Sequence, residues 1–131
     1  MTTDLWMLVY TSLLSAVLPL VYGAGRVQAK GGLPWAFGNR DTALPGVPEW
    51  AQRAVRAHNN LTENLAGFAI LVLVAQVAGK ANGSTALGAE LFFFGRVAHL
   101  ITYTAGWIYV RTAVFFVAVA GEILILVQLF R

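Results

Sequence analysis

The chain has 131 residues and a net charge of +3, and 58% of its residues are hydrophobic whereas only 11% are charged. Soluble domains carry about 25% charged residues, so the composition excludes an ordinary soluble domain and predicts an integral membrane protein with a single domain, residues 1–131. No run of basic residues occurs, so nucleic acid is not an expected partner. Because there is no cysteine, disulfides and thiolate metal sites are excluded, and any reacting thiol must come from a substrate.

The first half of the chain predicts two transmembrane helices joined by a loop. Residues 5–25 form an uncharged run long enough to cross a bilayer, and because only Asp4 precedes it, no cleaved signal peptide is expected. Pro19 is expected to kink this helix. Residues 26–50 are rich in Gly and Pro and predict an ordered loop. The second helix is predicted at residues 49–78, with a polar first half that leads into an apolar run.

The second half predicts two more transmembrane helices, at residues 85–107 and 111–130. Four spans with short outer turns predict an all-α, four-helix bundle. Arg96 lies near the middle of the third span, where an unpaired guanidinium costs several kcal/mol. We therefore expect Arg96 to point into the bundle and to be held by a carboxylate, either Glu63 or Glu122.

The distribution of basic residues predicts the orientation in the membrane. By the positive-inside rule the first and third connections face the cytoplasm, as does any site at the head of the second helix, and both termini lie outside. The first connection and its flank contain Arg26, Lys30, Arg40, Arg53 and Arg56 and the third contains Arg111, whereas the opposite side has Lys80 and Arg131.

The head of the second helix carries a polar face. At about 100° per residue, Arg56, Asn60 and Glu63 fall within roughly 60° of one another, and Arg53 and Asn64 lie at the edge of the same face. Because the helix continues into the membrane, this face must line a bundle interior or a wet crevice rather than look into lipid. Cations, amides and a carboxylate on one face indicate a binding site.

A second polar stripe lies on the third helix. Arg96, His99, Tyr103 and Trp107 recur at intervals of three and four residues and so share a face. His99 is compatible both with ligand binding and with a satisfied interior histidine. His58 points about 200° away from Arg56 and is predicted to pack at a helix interface. No His pair or carboxylate cluster has metal-ligand spacing, so no metal is expected.

Three strings carry a resemblance to a known family. Arg56-Ala-His-x-Asn60-x-x-Glu63-Asn64 resembles the hallmark of the MAPEG family, the membrane-associated proteins of eicosanoid and glutathione metabolism. Arg96-Val-Ala-His99-x-x-x-Tyr103 and the pair Arg111-Thr112 resemble that family as well. The similarity covers all four predicted spans and is closest to a bacterial-type member. It implies a four-helix protomer, a homotrimer with the glutathione site between neighbouring protomers, and a place in a bacterial inner membrane.

The resemblance also implies a detoxification chemistry in which glutathione is the co-substrate. A glutathione thiolate attacks an apolar electrophile that enters from the lipid. Arg111 stabilises the thiolate, and Tyr103 or Thr112 adds a hydrogen bond. Arginine forks suit the two carboxylates of glutathione, Glu63 can accept from its ammonium, and Asn60 can meet an amide. The catalytic residues expected are Arg111 and Tyr103, and the glutathione-binding residues are Arg53, Arg56, Asn60, Glu63, Asn64, Arg96, His99, Tyr103 and Thr112.

Two positions depart from the family pattern. Asn59 stands where some prostaglandin synthase relatives have an arginine, so any role of that arginine does not transfer to this chain. Glu122 has no place in the pattern, and its position favours a partner for a buried arginine over a catalytic acid.

Two alternatives to an enzyme remain open. One is a non-catalytic membrane scaffold of the same fold. The other is a small four-span multidrug-type transporter, which needs an intramembrane carboxylate for proton coupling. The first span has no ionisable residue between Asp4 and Arg26, which counts against a transporter. The sequence leaves open the electrophile, the choice between conjugation and peroxide reduction, and whether glutathione or another small thiol is the physiological partner.

Overall fold

The computed structural model describes residues 1–131 and contains five helices and no strand. Four helices are long and one is short, and α1, α3 and α5 are long and apolar enough to cross a membrane. α4 has a similar length, and Glu90, Arg96 and His99 lie within it. The helices are α1 (Thr3–Gln28), α2 (Gly32–Phe37), α3 (Glu49–Val77), α4 (Gly83–Ala105) and α5 (Ile108–Leu129).

The segment between α1 and α3 contains a helix that the sequence analysis placed in a loop. α1 continues through Pro19 to Gln28, and after Gly31, whose φ of 77° is left-handed, α2 begins. Pro34 does not prevent a helix here, because in the first turn its missing N–H has no partner to lose. The prediction of a loop throughout residues 26–50 is therefore wrong for residues 26–28 and 32–37.

The turn between α4 and α5 is short. α4 ends at Ala105, and the residue that caps it, Gly106, has a left-handed φ of 86°, a conformation that glycine adopts without a steric cost. Only Gly106 and Trp107 separate the two helices, so α5 begins at Ile108, three residues before the predicted start. Arg111 therefore lies in the first turn of α5, next to the last turns of α4.

The opposite end of the bundle is closed by hydrogen bonds between helices. Asp4, which the sequence analysis placed before the first span, belongs to α1 and is only 2% exposed. The Thr85 hydroxyl donates to Oδ2 of Asp4 over 3.0 Å, so this carboxylate joins α1 to the start of α4. Two other side-chain pairs lie at the same end, Gln76 with Thr2 and Asn82 with Gln128.

Small residues allow α4 and α5 to pack closely. A Cβ at Gly88 would lie 2.6 Å from the carbonyl oxygen of Gly121, and one at Gly95 would lie 3.0 Å from Ala118. The Phe68 and Phe92 rings stack at 3.9 Å and join α3 to this pair. The close contact fixes the register of α4 against α5, and hence of the polar residues that the two helices carry.

Replacing Gly88 by alanine should separate α4 from α5, because the new methyl group would meet backbone that cannot move aside. We expect Gly88→Ala to lower the free energy of unfolding by about 1–3 kcal/mol, as overpacking does. In the control, Gly23→Ala, the methyl group of a residue inside α1 has no atom within 4 Å, so stability should stay equal or rise. Thermal unfolding in detergent micelles measures both, and equal midpoints would contradict the close packing.

Candidate functional site

Arg96 is the largest fully buried side chain, with 1% of its surface exposed. Its Nη1 donates to Oδ1 of Asn60 over 2.8 Å, and its Cζ lies 4.9 Å from the ring centre of Phe92 and 5.2 Å from that of Phe115. Nε and Nη2 are buried without a hydrogen-bond partner. The inward orientation predicted for Arg96 is therefore correct, and two of its three nitrogens are unsatisfied.

The direct partner of Arg96 is an amide and not a carboxylate. Glu63 is exposed, and the only ion pair within 4.0 Å in the protein joins Arg53 to Glu49. Glu122 lies more than 4.0 Å from Arg96 as well. The prediction of a direct carboxylate partner is thus wrong, because Asn60 is the side chain of α3 that faces Arg96.

The two residues predicted to be catalytic meet at the α4–α5 turn. The Arg111 guanidinium lies 4.5 Å from the centre of the Tyr103 ring. The Tyr103 and His99 rings pack edge to face, with their centres 5.4 Å apart. The centre of the His99 ring lies 6.0 Å from that of Phe115. A guanidinium on an aromatic face keeps its N–H groups free to donate sideways. The stripe of Arg96, His99, Tyr103 and Arg111 is thus continuous across two helices.

The polar face of α3 divides into two rows. Arg53 and Asn60, seven residues apart, both face α4, where Nε of Arg53 donates to the Thr104 carbonyl over 2.9 Å. Arg56 and Glu63, also seven residues apart, are both exposed. The sequence pattern grouped these four residues together, whereas in the structure one row is half-buried against α4 and the other is exposed.

Two other predicted binding residues are bonded within their own helices. The Asn64 side chain donates to the Asn60 carbonyl over 2.7 Å, and the Thr112 hydroxyl donates to the Ile108 carbonyl over 3.2 Å. Thr112 is exposed, whereas Tyr103 is half-buried. Tyr103 contacts the Arg111 guanidinium, whereas the Thr112 hydroxyl bonds within its own helix.

His58 lies at the interface of α1 and α3, as the sequence analysis predicted. Its Nε2 is 3.2 Å from the Ser15 hydroxyl, and its Nδ1 is 3.1 Å from the Tyr22 hydroxyl. In a neutral imidazole one ring nitrogen donates and the other accepts, so both contacts can be hydrogen bonds. The ring is therefore held by α1 and is turned away from Arg56.

Arg56 lines a cavity of about 330 Å³ between α2, the loop that follows it and the start of α3. Arg26, from the last turn of α1, lines the same cavity, and its guanidinium lies over the rings of Tyr22 and Trp35. Two guanidinium groups at one cavity suit a carboxylate or another anion. The sequence analysis counted Arg26 only as an orientation signal.

An apolar groove of about 650 Å³ runs between α1, α3 and α4 on a different face of α4 from the polar stripe. Its polar members, Arg53 and Thr104, lie at the end near the α4–α5 turn. No group of three or more His, Cys, Asp or Glu side chains in the protein could hold a metal ion.

Phe115 is a member of the stripe that the sequence analysis missed. It lies against both Arg96 and His99 and so joins the buried arginine to the part of the stripe at the turn. Phe115 follows Arg111 by four residues, which places both on one face of α5. That spacing was a usable signal, but an aromatic residue inside an apolar helix does not stand out by composition.

A family model described as the MAPEG family matches residues 5–131 of the chain, nearly its whole length. No curated protein and no solved structure matches it.

Asn60 supplies the only hydrogen bond that Arg96 makes, so Asn60→Ala should leave a buried guanidinium with none. We expect a loss of about 3 kcal/mol in the free energy of unfolding, the upper end for an unsatisfied buried group. Asn59→Ala is the matched control, since the neighbouring amide is exposed and its loss should cost less than about 0.5 kcal/mol. Denaturation in detergent measures the free energy of unfolding of both variants. An equal decrease in the two would contradict the role of Asn60 as the partner of Arg96.

Proposed function

Because this chain belongs to the MAPEG family, we propose that it is a membrane-embedded, glutathione-dependent transferase or peroxidase that directs a glutathione thiolate at apolar electrophiles. Family membership and three long apolar helices make it an integral membrane protein, and the family in general acts in glutathione or eicosanoid metabolism. The observation that supports the proposal most strongly is the contact between Arg111 and Tyr103 at the α4–α5 turn. Both residues match the family pattern, and they come from different helices.

The chemistry proposed is activation of a thiol by a fixed cation. A free thiol, with a pKa near 8.5, is only a few per cent ionised at neutral pH. A guanidinium in a low-dielectric crevice stabilises the anion and lowers that pKa by about one to three units. In the proposed reaction the thiol proton leaves to solvent, and the thiolate forms a bond to the electrophilic atom as that atom's bond to its leaving group breaks; the leaving group departs with the electron pair and takes a proton from solvent. With a peroxide the O–O bond breaks, which gives an alcohol and a glutathione sulfenic acid that a second glutathione reduces to the disulfide and water. Arg111 holds the negative sulfur, and the Tyr103 hydroxyl donates a hydrogen bond to it.

The remaining groups match the other parts of glutathione. Arg56 and Arg26, which line one cavity, can bind a carboxylate, and Glu63 can accept from the ammonium group. Asn60 and His99 can meet the peptide amides. These groups account for the charged and polar parts of glutathione and leave the thiol for the α4–α5 turn.

A single chain leaves part of this site open, and this supports a homotrimer with the site between neighbouring protomers. Arg56 and Glu63 are exposed on a helix that is apolar enough to cross a membrane. A carboxylate directed at lipid costs several kcal/mol. We therefore propose that a neighbouring protomer shields Glu63 from the lipid. We also propose four membrane spans in a bacterial inner membrane, with α4 shielded by its neighbours, the site facing the cytoplasm and both termini outside.

The apolar substrate is proposed to reach the site from the lipid. The groove between α1, α3 and α4 is open and almost wholly apolar, and it reaches the level of the α4–α5 turn. An electrophile dissolved in the bilayer would lose no hydration on entering it, so partition into lipid would concentrate the substrate near the thiolate.

A non-catalytic scaffold of the same fold is the second candidate. It is favoured by the five predicted ligand residues whose side chains already have hydrogen bonds inside the chain, namely Arg53, Asn60, Asn64, Arg96 and Thr112. A titration of the purified protein with glutathione separates the two candidates, because a scaffold has no reason to bind the tripeptide or to ionise its thiol.

Replacing Arg111 by alanine tests the activation step. If Arg111 contacts the sulfur, Arg111→Ala should raise the midpoint of the bound-thiolate titration by about one to three pH units, with glutathione affinity little changed and turnover reduced. Arg111→Lys should recover only part, because a point charge lacks the planar fork. Thiolate absorbance against pH gives the midpoint, and an unchanged value would transfer the role to Tyr103 or Thr112.

A second pair of variants tests the binding face. Arg56→Ala should weaken glutathione binding by about 10- to 100-fold, the loss of a charge-assisted hydrogen bond of about 1.5–3 kcal/mol. His58→Ala should leave affinity nearly unchanged, since His58 is bonded to α1 and faces away. Calorimetric titration of both proteins provides the comparison, and equal affinities would show that the face is assigned wrongly.

A further inference from the structure

Another cavity, of about 290 Å³, lies between the last turns of α1 and the short helix α2. Two guanidinium groups line it, those of Arg26 and Arg40, and the other side chains that line it are aromatic or aliphatic. Arg26 and Trp35 also border the cavity that contains Arg56, whereas Arg40 borders only this one. Arg40 therefore belongs to a site that the proposed reaction does not use.

Both guanidinium groups of this cavity lie on aromatic rings. Cζ of Arg26 is 4.8 Å from the ring centre of Tyr22 and 5.5 Å from that of Trp35. Cζ of Arg40 is 5.4 Å from the ring centre of Trp35, and the indole Nε1 donates to the Thr42 carbonyl over 2.7 Å, which fixes this shared ring. Because an aromatic face attracts a cation without neutralising it, the N–H groups at the guanidinium edges can still bind an anion.

Neither cation has an acidic partner. No carboxylate lines the cavity, and the only ion pair within 4.0 Å in the protein joins Arg53 to Glu49. Asp41, which follows Arg40, forms none. Two like charges at one ring repel each other, so an anion between them would remove the repulsion and gain charge-assisted hydrogen bonds.

The backbone of Arg40 also indicates that the cation is needed here. Arg40 is the only residue other than glycine with a positive φ, 61°, a conformation that is unfavourable for a residue with a Cβ. Its Nη2 donates to the Ala36 carbonyl over 3.0 Å, which helps to hold the side chain over Trp35. Glycine would adopt this backbone conformation without a steric cost but would bring no guanidinium to the cavity.

The rest of the cavity continues an exposed apolar face of α1. Leu20 and Val27, which are 75% and 45% exposed, are seven residues apart and so share a face. Arg26 lies in the last turn of α1, about 9 Å along the helix from Leu20. Trp35 suits the membrane interface, and Phe37 on the same short helix is 86% exposed. The cations thus lie at the polar end of an apolar face, an arrangement complementary to an amphiphile with an anionic head.

We propose that this cavity binds an anionic phospholipid, with the headgroup phosphate between Arg26 and Arg40 and an acyl chain along Leu20 and Val27. A zwitterionic lipid also has a phosphate, but its own cation would lie near the two guanidinium groups, so the site favours a headgroup with a net negative charge. A soluble anion would leave the apolar face uncovered. The inference does not depend on the proposed reaction, in which Arg40 and this face of α1 take no part.

The test compares lipid affinities of the full chain in detergent. Native mass spectrometry gives the dissociation constant of the first bound lipid. With phosphatidylglycerol, Arg40→Gln should bind about fivefold more weakly than wild type, the effect of one basic side chain at an anionic lipid. With phosphatidylcholine of the same acyl chains, the wild type should bind more weakly and Arg40→Gln should match it. Lys80→Gln is the matched control, since it removes an exposed cation from the opposite end of the bundle, and its affinity for phosphatidylglycerol should not change.

Arg40→Gly separates lipid binding from a structural role of this side chain. Glycine removes the cation but suits the left-handed backbone, so the thermal unfolding midpoint should stay equal or rise while the affinity for phosphatidylglycerol falls as in Arg40→Gln. If Arg40 served only to hold the loop, Arg40→Gly would retain the wild-type affinity, and the proposal would fail.

Three further results would overturn the proposal. Equal losses of phosphatidylglycerol affinity in Arg40→Gln and Lys80→Gln would show a diffuse attraction to the whole protein. Equal wild-type affinities for the two lipids would show that the headgroup charge is not recognised. Displacement of phosphatidylglycerol by glycerol phosphate, at a concentration comparable to that of the lipid, would show that the cavity binds a free anion rather than a lipid.

Discussion

The fold depends on how a charged guanidinium is accommodated in an apolar bundle. Moving an arginine from water into a low-dielectric interior costs several kcal/mol even after relaxation. Arg96 is 1% exposed, so the protein must supply substitutes for the lost water. It does so from three helices, with Asn60 on α3, Phe92 on α4 itself and Phe115 on α5. Because each partner must reach the same point, the buried charge selects one arrangement of α3, α4 and α5 over other apolar packings.

The close packing of α4 and α5 gives the site its rigidity. Gly88 and Gly121 bring the two backbones together, and the two-residue turn leaves little freedom for the helix ends. The contact between Tyr103 and Arg111 is therefore built on one stiff hairpin. α3 is joined to that hairpin by the Phe68–Phe92 stack and by Asn60. A bound ligand that touched both the hairpin and the head of α3 would span two parts of the bundle whose relative position is already fixed.

Helical periodicity was sufficient to predict much of the stripe on α4 and its inward direction. Arg96 could be placed inside the bundle from its cost in lipid alone, and His99 and Tyr103 follow from spacing. Periodicity gives the angle of a side chain about its own helix but not what lies opposite. For this reason Asn60, and not a carboxylate, came to face Arg96, and Arg56 was left exposed beside it. Those outcomes depend on how the helices are rotated against each other, which the packing of small residues decides.

The two ends of the bundle illustrate the same limit. The sequence analysis began the first span after Asp4, because a carboxylate is a poor member of an apolar run, yet α1 includes this residue and Thr85 satisfies it. A local rule is overridden when a distant residue supplies the missing partner. At the other end, the guanidinium groups of Arg96 and Arg111 lie against the rings of Phe92, Phe115 and Tyr103. Aromatic faces attract a cation without carrying a negative charge, so charge pairing alone could not identify these partners from the sequence.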